Sequence, residues 1–170
     1  MMSGRITAAA ILGGLALVLG VAGSTILGKQ AILDDGRTVL LPLRPVDPRS
    51  LMQGDYMVLR YDPAVFPPSE LASDLLRKGT IILALDEAGI ARFARLDDDT
   101  PPGPMEARLV YRLAGPDGEL RYGAESYFFQ ESQAATFQDA KYGVLKLDPD
   151  GNSVLAGLAD AQGRQLAPPD

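Results

Sequence analysis

One apolar run near the N-terminus limits what this chain can fold into more than any other feature. Residues 6–28 form a stretch of 23 residues without a charged side chain. As a helix, this stretch would be about 34 Å long, and a bilayer core is about 30 Å thick. Its glycines would weaken a soluble helix but are common in membrane helices. The run predicts that residues 1–29 comprise a short tail and a transmembrane anchor, with residues 6–28 in the bilayer.

Two other interpretations of this run remain open. In a cleaved signal peptide, Arg5 would be the basic region and Val21-Ala22-Gly23 the cleavage site. The run exceeds the usual 7–15 apolar residues of a signal peptide, which favours an anchor. A buried helix of a soluble protein is the third interpretation. For an anchor, Arg5 and the N-terminal amine favour a cytoplasmic N-terminus and an exported domain.

The charge and the missing residue types exclude several classes of function. Beyond the anchor there are 14 basic residues, which are the 16 of the whole chain less Arg5 and Lys29, and 22 acidic ones, so the net charge is 14 − 22 = −8. With its basic residues scattered, such a domain is not expected to bind nucleic acid or an anionic lipid surface. The chain has no His, Cys or Trp. Ser–His and Cys–His nucleophiles, Cys/His zinc sites and disulfides are therefore excluded, and no cofactor or metal is expected.

The remainder of the chain has the pattern of a mainly β domain. Turn sequences such as Asp35-Gly36 and Pro116-Asp117-Gly118 separate short apolar runs, as in antiparallel hairpins. Nine strands are predicted, at residues 37–43, 56–61, 80–85, 90–96, 107–113, 119–123, 125–131, 142–147 and 153–158. The predicted fold is a transmembrane helix followed by a small, mostly antiparallel β domain over residues 30–165, with a frayed tail at 166–170.

One or two short helices are also expected. Residues 67–79 begin with two prolines and a serine cap candidate and end in Arg77-Lys78-Gly79. A basic last turn followed by glycine is typical of a helix end. Residues 132–139 are predicted to contain a single helical turn.

The stretch Gly54-Asp55-Tyr56-Met57-Val58-Leu59-Arg60-Tyr61 carries the strongest motif. Gly54 can adopt a positive φ and Asp55 can accept hydrogen bonds from nearby amides, so the pair predicts a turn that leads into a strand. Pro48 fixes the approach to it. Ser50, four residues before the glycine, raises the question of a nucleophile.

These eight residues resemble the signature of the GDYXXLXY family, a group of uncharacterised bacterial membrane-anchored proteins. Asp-Pro-Arg-Ser-Leu at 47–51 is similar to the approach to that motif. Tyr-Phe-Phe-Gln-Glu at 127–131 and Lys-Tyr-Gly at 141–143 resemble its second block. Ser132 departs from the glycine expected there. The resemblance implies an anchored, exported domain, often encoded near multi-spanning membrane proteins, and no established activity. A bacterial inner-membrane protein with a periplasmic domain is therefore expected.

The alternatives to a non-catalytic accessory protein are two enzyme classes and a small-molecule-binding module. Ser50 before Gly-Asp and a strand is similar to type I signal peptidases, which pair serine with lysine. The spacing here is shorter and lacks the intervening proline, and none of the lysines, Lys29, Lys78, Lys141 and Lys146, is an evident base. A carboxylate pair from Asp47, Asp55 and Glu131 could cut a glycosidic bond. Two candidate calcium sites, Asp97-Asp98-Asp99 and the set Asp148, Asp150 and Asn152, lack the spacing of a calcium loop.

The two blocks, residues 47–61 and 127–143, are called the first and second signature segments below. We expect their strands to pair or to lie side by side in one sheet, because both mix aromatic and polar residues. The candidate binding residues are Asp47, Asp55, Tyr56, Tyr61, Tyr127, Phe129 and Glu131. Pro48, Gly54, Leu59, Tyr142 and Gly143 are expected to be structural. Together they would offer a partner aromatic anchors with hydrogen-bonding neighbours.

Overall fold

The computed structural model of the chain describes residues 2–44, 52–53, 56–115, 118–130 and 133–167. It opens with a helix, α1 (Met2–Asp35), of 34 residues. Its segment Ile11–Asp35 has the length and apolar composition of a membrane span, and the most apolar part of that segment is not covered by the rest of the chain. The expected N-terminal apolar helix is confirmed, and it continues beyond the predicted limit at residue 28.

A single residue, Gly36, separates α1 from the first strand, β1 (Arg37–Pro42). The Gly36 amide donates to the Ile32 carbonyl, and a Cβ at position 36 would collide with that same oxygen. Ile32 is buried, and the Lys29 ammonium donates to the Ser153 carbonyl at 3.2 Å. The helix end is therefore fixed to the β domain rather than joined to it by a linker.

Within the described ranges, the domain contains ten strands in three antiparallel sheets. Besides β1, they are β2 (Met52–Gln53), β3 (Tyr56–Val58), β4 (Lys78–Leu85), β5 (Ala91–Leu96), β6 (Glu106–Ala114), β7 (Glu119–Arg121), β8 (Ser126–Phe128), β9 (Tyr142–Leu147) and β10 (Ser153–Ala159). The strand orders are β1-β9-β10, β2-β3-β8 and β5-β4-β6-β7. The predicted antiparallel β fold is confirmed.

A continuous core fills the space between the sheets. Val39 and Leu41 of β1, Ile81 and Leu83 of β4, and Leu109 of β6 are fully buried in it. Leu40 and Ile82, which stand between them, are buried as well, so β1 and β4 are covered on both faces at these positions. The hydrogen-bonded chain continues after β10, because the Leu166 amide donates to the Leu158 carbonyl.

The prediction of a helix over residues 67–79 is wrong in type and extent. The structure has a short 3-10 helix, Ser69–Asp74, after another at Pro63–Val65, and Gly79 lies within β4. Gly79 faces Tyr111 across the sheet, and a Cβ on it would lie 2.6 Å from the tyrosine hydroxyl oxygen. The glycine therefore makes room for Tyr111 and does not end a helix. The predicted helical turn in 132–139 is confirmed as α2 (Ala134–Phe137).

Candidate functional site

The two signature segments meet in one antiparallel ribbon. Strand β3 pairs with β8, with Tyr56 opposite Phe128, Met57 opposite Tyr127 and Val58 opposite Ser126. The expectation that the two segments pair in one sheet is confirmed. Because directly opposite residues share a face of a sheet, the ribbon has one face with Met57 and Tyr127 and another with Tyr56 and Phe128.

The inner face of the ribbon packs on α2. The Tyr127 and Phe129 rings lie 5.0 Å and 5.5 Å from the ring of Phe137, which is 1% exposed. Met57 is buried beside them, and burial raises the pKa of the Tyr127 phenol. Tyr127 and Phe129, two candidate binding residues, thus direct their rings at the core and remain only partly exposed.

The outer face of the ribbon carries Tyr56, Val58 and Phe128. Phe128 is 74% exposed, and its ring centroid lies 5.7 Å from that of half-buried Tyr56. We call these three residues the aromatic face. Phe128 is not among the predicted binding residues, although alternation along the strand puts it on the face opposite Tyr127 and Phe129. Its position across from Tyr56 depends on the strand register.

Tyr61 is not part of the aromatic face. It is 5% exposed, and its hydroxyl donates to the Ala124 carbonyl. The chain at Tyr61 has left β8 and forms a bridge with Leu43, just after β1. The first signature segment therefore crosses from the sheet β2-β3-β8 to the sheet β1-β9-β10, and Tyr61 lies where they meet.

The residues expected to be structural and present in the described chain all lie in packed positions. Leu59 is buried in the core, and Tyr142 packs on a smaller cluster that contains Leu40. Gly143 lies against the Tyr61 ring, and a Cβ on it would be 3.2 Å from Cε1 of that ring. The two signature segments therefore contact each other at Tyr61 and Gly143 as well as in the ribbon.

Several sequence-level candidates lie outside the described residues: Asp47, Pro48, Ser50, Gly54, Asp55 and Glu131. Gln53 and Tyr56 are partners in the β2–β3 hairpin, and only Gly54 and Asp55 stand between them in the sequence. The positive φ expected at Gly54 therefore remains a prediction.

Lys146 and several of the described acids have structural partners. Lys146 donates to the Gly36 carbonyl, and Lys141 is exposed. Asp97 pairs with Arg108, and the Asp148 carboxylate accepts from the Asp150 and Asn152 amides in its turn. Within the described ranges, no three acidic residues are grouped as a metal site would require.

The architecture defines a class: an apolar helix with the composition of a membrane span, joined through one residue to an antiparallel β domain. A protein-family model described as GDYXXLXY protein matches residues 18–158 of this chain. The chain therefore belongs to the GDYXXLXY family, as its two signature segments indicated. No curated protein and no solved structure matches the chain.

The contact between Gly143 and Tyr61 predicts the effect of Gly143→Ala. The added methyl would press on a buried ring at 3.2 Å, and overpacking of this kind typically costs about 1–3 kcal/mol of unfolding free energy. Gly103→Ala is the matched control, because its Cβ would find only ordinary contacts with Glu106 near 3.8 Å. Denaturant unfolding of the full chain in detergent measures both. Equal stabilities of the two variants would contradict the contact.

Two buried phenols predict a loss of stability at alkaline pH. Burial, and then the nearby Glu125 charge, raise the pKa of Tyr61. Burial first, followed by Tyr61 and Glu125, raises the pKa of Tyr122. Unfolded tyrosines ionise near pH 10, so the folded state holds these protons more tightly. Their stabilising contribution is complete below about pH 10 and is lost as the pH rises above it.

We therefore expect the unfolding free energy to fall above about pH 10, with up to about 1.4 kcal/mol per pH unit from each such tyrosine. Tyr61→Phe should make this slope shallower and cost about 1 kcal/mol at neutral pH, because the Ala124 carbonyl loses its donor. Gly143→Ala retains the phenol and should keep the wild-type slope. A Tyr61→Phe slope equal to that of wild type would count against the raised pKa.

Proposed function

We propose that this protein is a non-catalytic accessory protein of the membrane, which uses its aromatic face to bind a multi-spanning membrane protein. The observation that carries the proposal is the exposure of Phe128 beside Tyr56 on a ribbon built from both signature segments. Aromatic residues dominate the energetic centres of protein interfaces. The opposite face of the same ribbon is already used by the core.

The aromatic face differs from the other apolar surface of the domain. Outside α1, the exposed large hydrophobic residues of the described chain are Leu76, Met105 and Phe128. Single exposed apolar side chains are normal on protein surfaces. Phe128 differs because it belongs to a pair of neighbouring rings, with Val58 on the same face. Its neighbours Ser126 and Gln130 are exposed polar residues, which supply the polar rim typical of interfaces.

The anchor restricts the choice of partner. Gly36 alone connects α1 to β1, and one residue extends the chain by less than about 4 Å. Lys29 and Ile32 also bind the helix end to the domain. A domain attached in this way stays at the membrane surface. A partner in the same membrane is therefore favoured over a freely diffusing protein.

Phe128→Ser tests the aromatic face. Isolated from its native membrane, the wild-type chain should carry a multi-spanning protein. The variant should bind this protein at least about thirtyfold more weakly, because removal of an aromatic hot spot costs about 2 kcal/mol or more. Leu76→Ser is the control, since Leu76 is comparably exposed, at 69%, but lies outside the ribbon. Quantitative mass spectrometry of the purified complexes measures the difference.

The thermal midpoint of each variant decides how a loss is interpreted. Loss of the partner with an unchanged midpoint in Phe128→Ser, but not in Leu76→Ser, supports the proposal. Equal retention by all three chains rejects the aromatic face as the binding surface. A lower thermal midpoint of Phe128→Ser would indicate that Phe128 stabilises the fold, and the loss of the partner would then not support the proposal.

The proposed location is the bacterial inner membrane, with the N-terminus in the cytoplasm and residues 30–165 in the periplasm. The absence of cysteine from the sequence allows a direct test. A single cysteine at exposed Ala161 should react with a membrane-impermeant maleimide once the outer membrane is permeabilised, whereas Ser3→Cys should not. Mass spectrometry of the mature chain should find residues 1–28 intact. A chain that begins near Ser24, or the reverse labelling pattern, would overturn this location.

A further inference from the structure

Three basic residues that are distant in the sequence form a row across one sheet. Lys78 of β4 lies directly opposite Arg112 of β6, and Arg112 lies directly opposite Arg121 of β7. All three are exposed, and directly opposite residues share a face. Like charges in such positions destabilise a sheet. We call these three residues the basic row.

The same face of the sheet is charge-paired elsewhere. Arg95 contacts Asp98 at 2.6 Å and Glu106 at 3.6 Å, and Arg108 contacts Asp97 at 2.9 Å. In the basic row, Arg121 pairs with Glu119. Neither Lys78 nor Arg112 forms an ion pair with any residue that the structure describes. Lys78 and Arg112, which lie directly opposite each other, are therefore the members of the basic row without an ion pair in the described chain.

A groove of about 410 Å³ brings a fourth cation to this row. Arg112 and Arg121 line it together with Lys29 of α1 and the side chain of Asn152. The hydrogen bond from the Lys29 ammonium to the Ser153 carbonyl holds the lysine there. Lys29 is also the first residue after the uncharged run of residues 6–28. If that run spans a bilayer, the groove lies at the depth of the lipid headgroups.

The carboxylates near the groove leave a positive excess. Glu125 lines it, but its Oε1 already accepts from the Tyr122 and Gly123 amides. Glu119 is bound to Arg121. Four cations therefore face two carboxylates, a local charge of 4 − 2 = +2, in a chain whose net charge is −6. A local reversal of sign beside an open groove suits an anionic ligand.

We propose that this groove binds a phosphate group, with the Arg112 and Arg121 guanidinium groups and the Lys29 ammonium as its donors. Guanidinium groups match phosphate oxygens in a bidentate way, and lysine adds a point charge. The phosphate belongs either to an anionic phospholipid of the surrounding leaflet or to a soluble phosphate ester. The lipid source rests on the anchoring proposed above, whereas binding of the phosphate does not. The scattered basic residues had predicted no such partner, but the sheet brings them together.

Arg112→Gln is the test variant, because Arg112 belongs to both the row and the groove. Arg92→Gln is the matched control, because it changes the net charge by the same amount. Arg92 is exposed on the same sheet and lies opposite Ala84. In the first arm, native mass spectrometry counts phosphatidylglycerol retained by the full chain from mixed micelles. The second arm measures the thermal midpoint in a zwitterionic detergent with added glycerol phosphate.

For a lipid headgroup, wild type and Arg92→Gln should retain phosphatidylglycerol, and Arg112→Gln should bind it about tenfold more weakly, as expected for loss of a charged hydrogen-bond donor. For a soluble ester, glycerol phosphate should raise the midpoint of wild type and Arg92→Gln but not that of Arg112→Gln. Without phosphate, Arg112→Gln should melt higher than wild type, because a like-charge contact is removed. Equal responses of the two variants in both arms would overturn the site.

Discussion

The buried Tyr61 side chain joins two sheets of the β domain. The chain pairs with β8 up to Val58 and then with the end of β1 at Tyr61, so two sheets meet at this side chain. The hydroxyl donates to the Ala124 carbonyl, and the Tyr122 hydroxyl donates to Val65 beside it. Both phenols are buried and both have a partner, which avoids the cost of an unsatisfied polar group in the core. Gly143 of strand β9 has no side chain, and this leaves room for the Tyr61 ring.

This arrangement separates two roles within the signature segments. Leu59, Tyr61 and Gly143 hold the sheets together, and their identity follows from packing. The aromatic face, by contrast, contributes little to the core, because Phe128 is mostly exposed. The Phe128 ring contacts the Tyr56 ring but remains 74% exposed. The proposed partner would give this side chain a role outside the domain.

The sequence predicted the elements of this fold better than their relations. Strand β9 has the predicted bounds, and the apolar run predicted α1, because length and alternation are local properties. The register of Tyr56 against Phe128 is not local, and for that reason the exposed member of the aromatic pair was missed. Gly79 was assigned to a helix end because glycine fits both a C-terminal cap and a strand that admits a large neighbour. Only the position of Tyr111 distinguishes the two.

The basic row also could not be predicted from the sequence, because it is formed by strand pairing. Lys78, Arg112 and Arg121 belong to three separate strands. They are scattered in an acidic sequence, so no basic cluster is evident there. Their meeting depends on the pairing of β4 with β6 and of β6 with β7, whereas the approach of Lys29 depends on the rigid end of α1. The one-residue junction at Gly36 therefore has two consequences. It would keep the domain close to a membrane that α1 spans, and it positions Lys29 of the helix beside the cations of the strands. A flexible linker would lose both, because the helix end would no longer be fixed relative to the sheet.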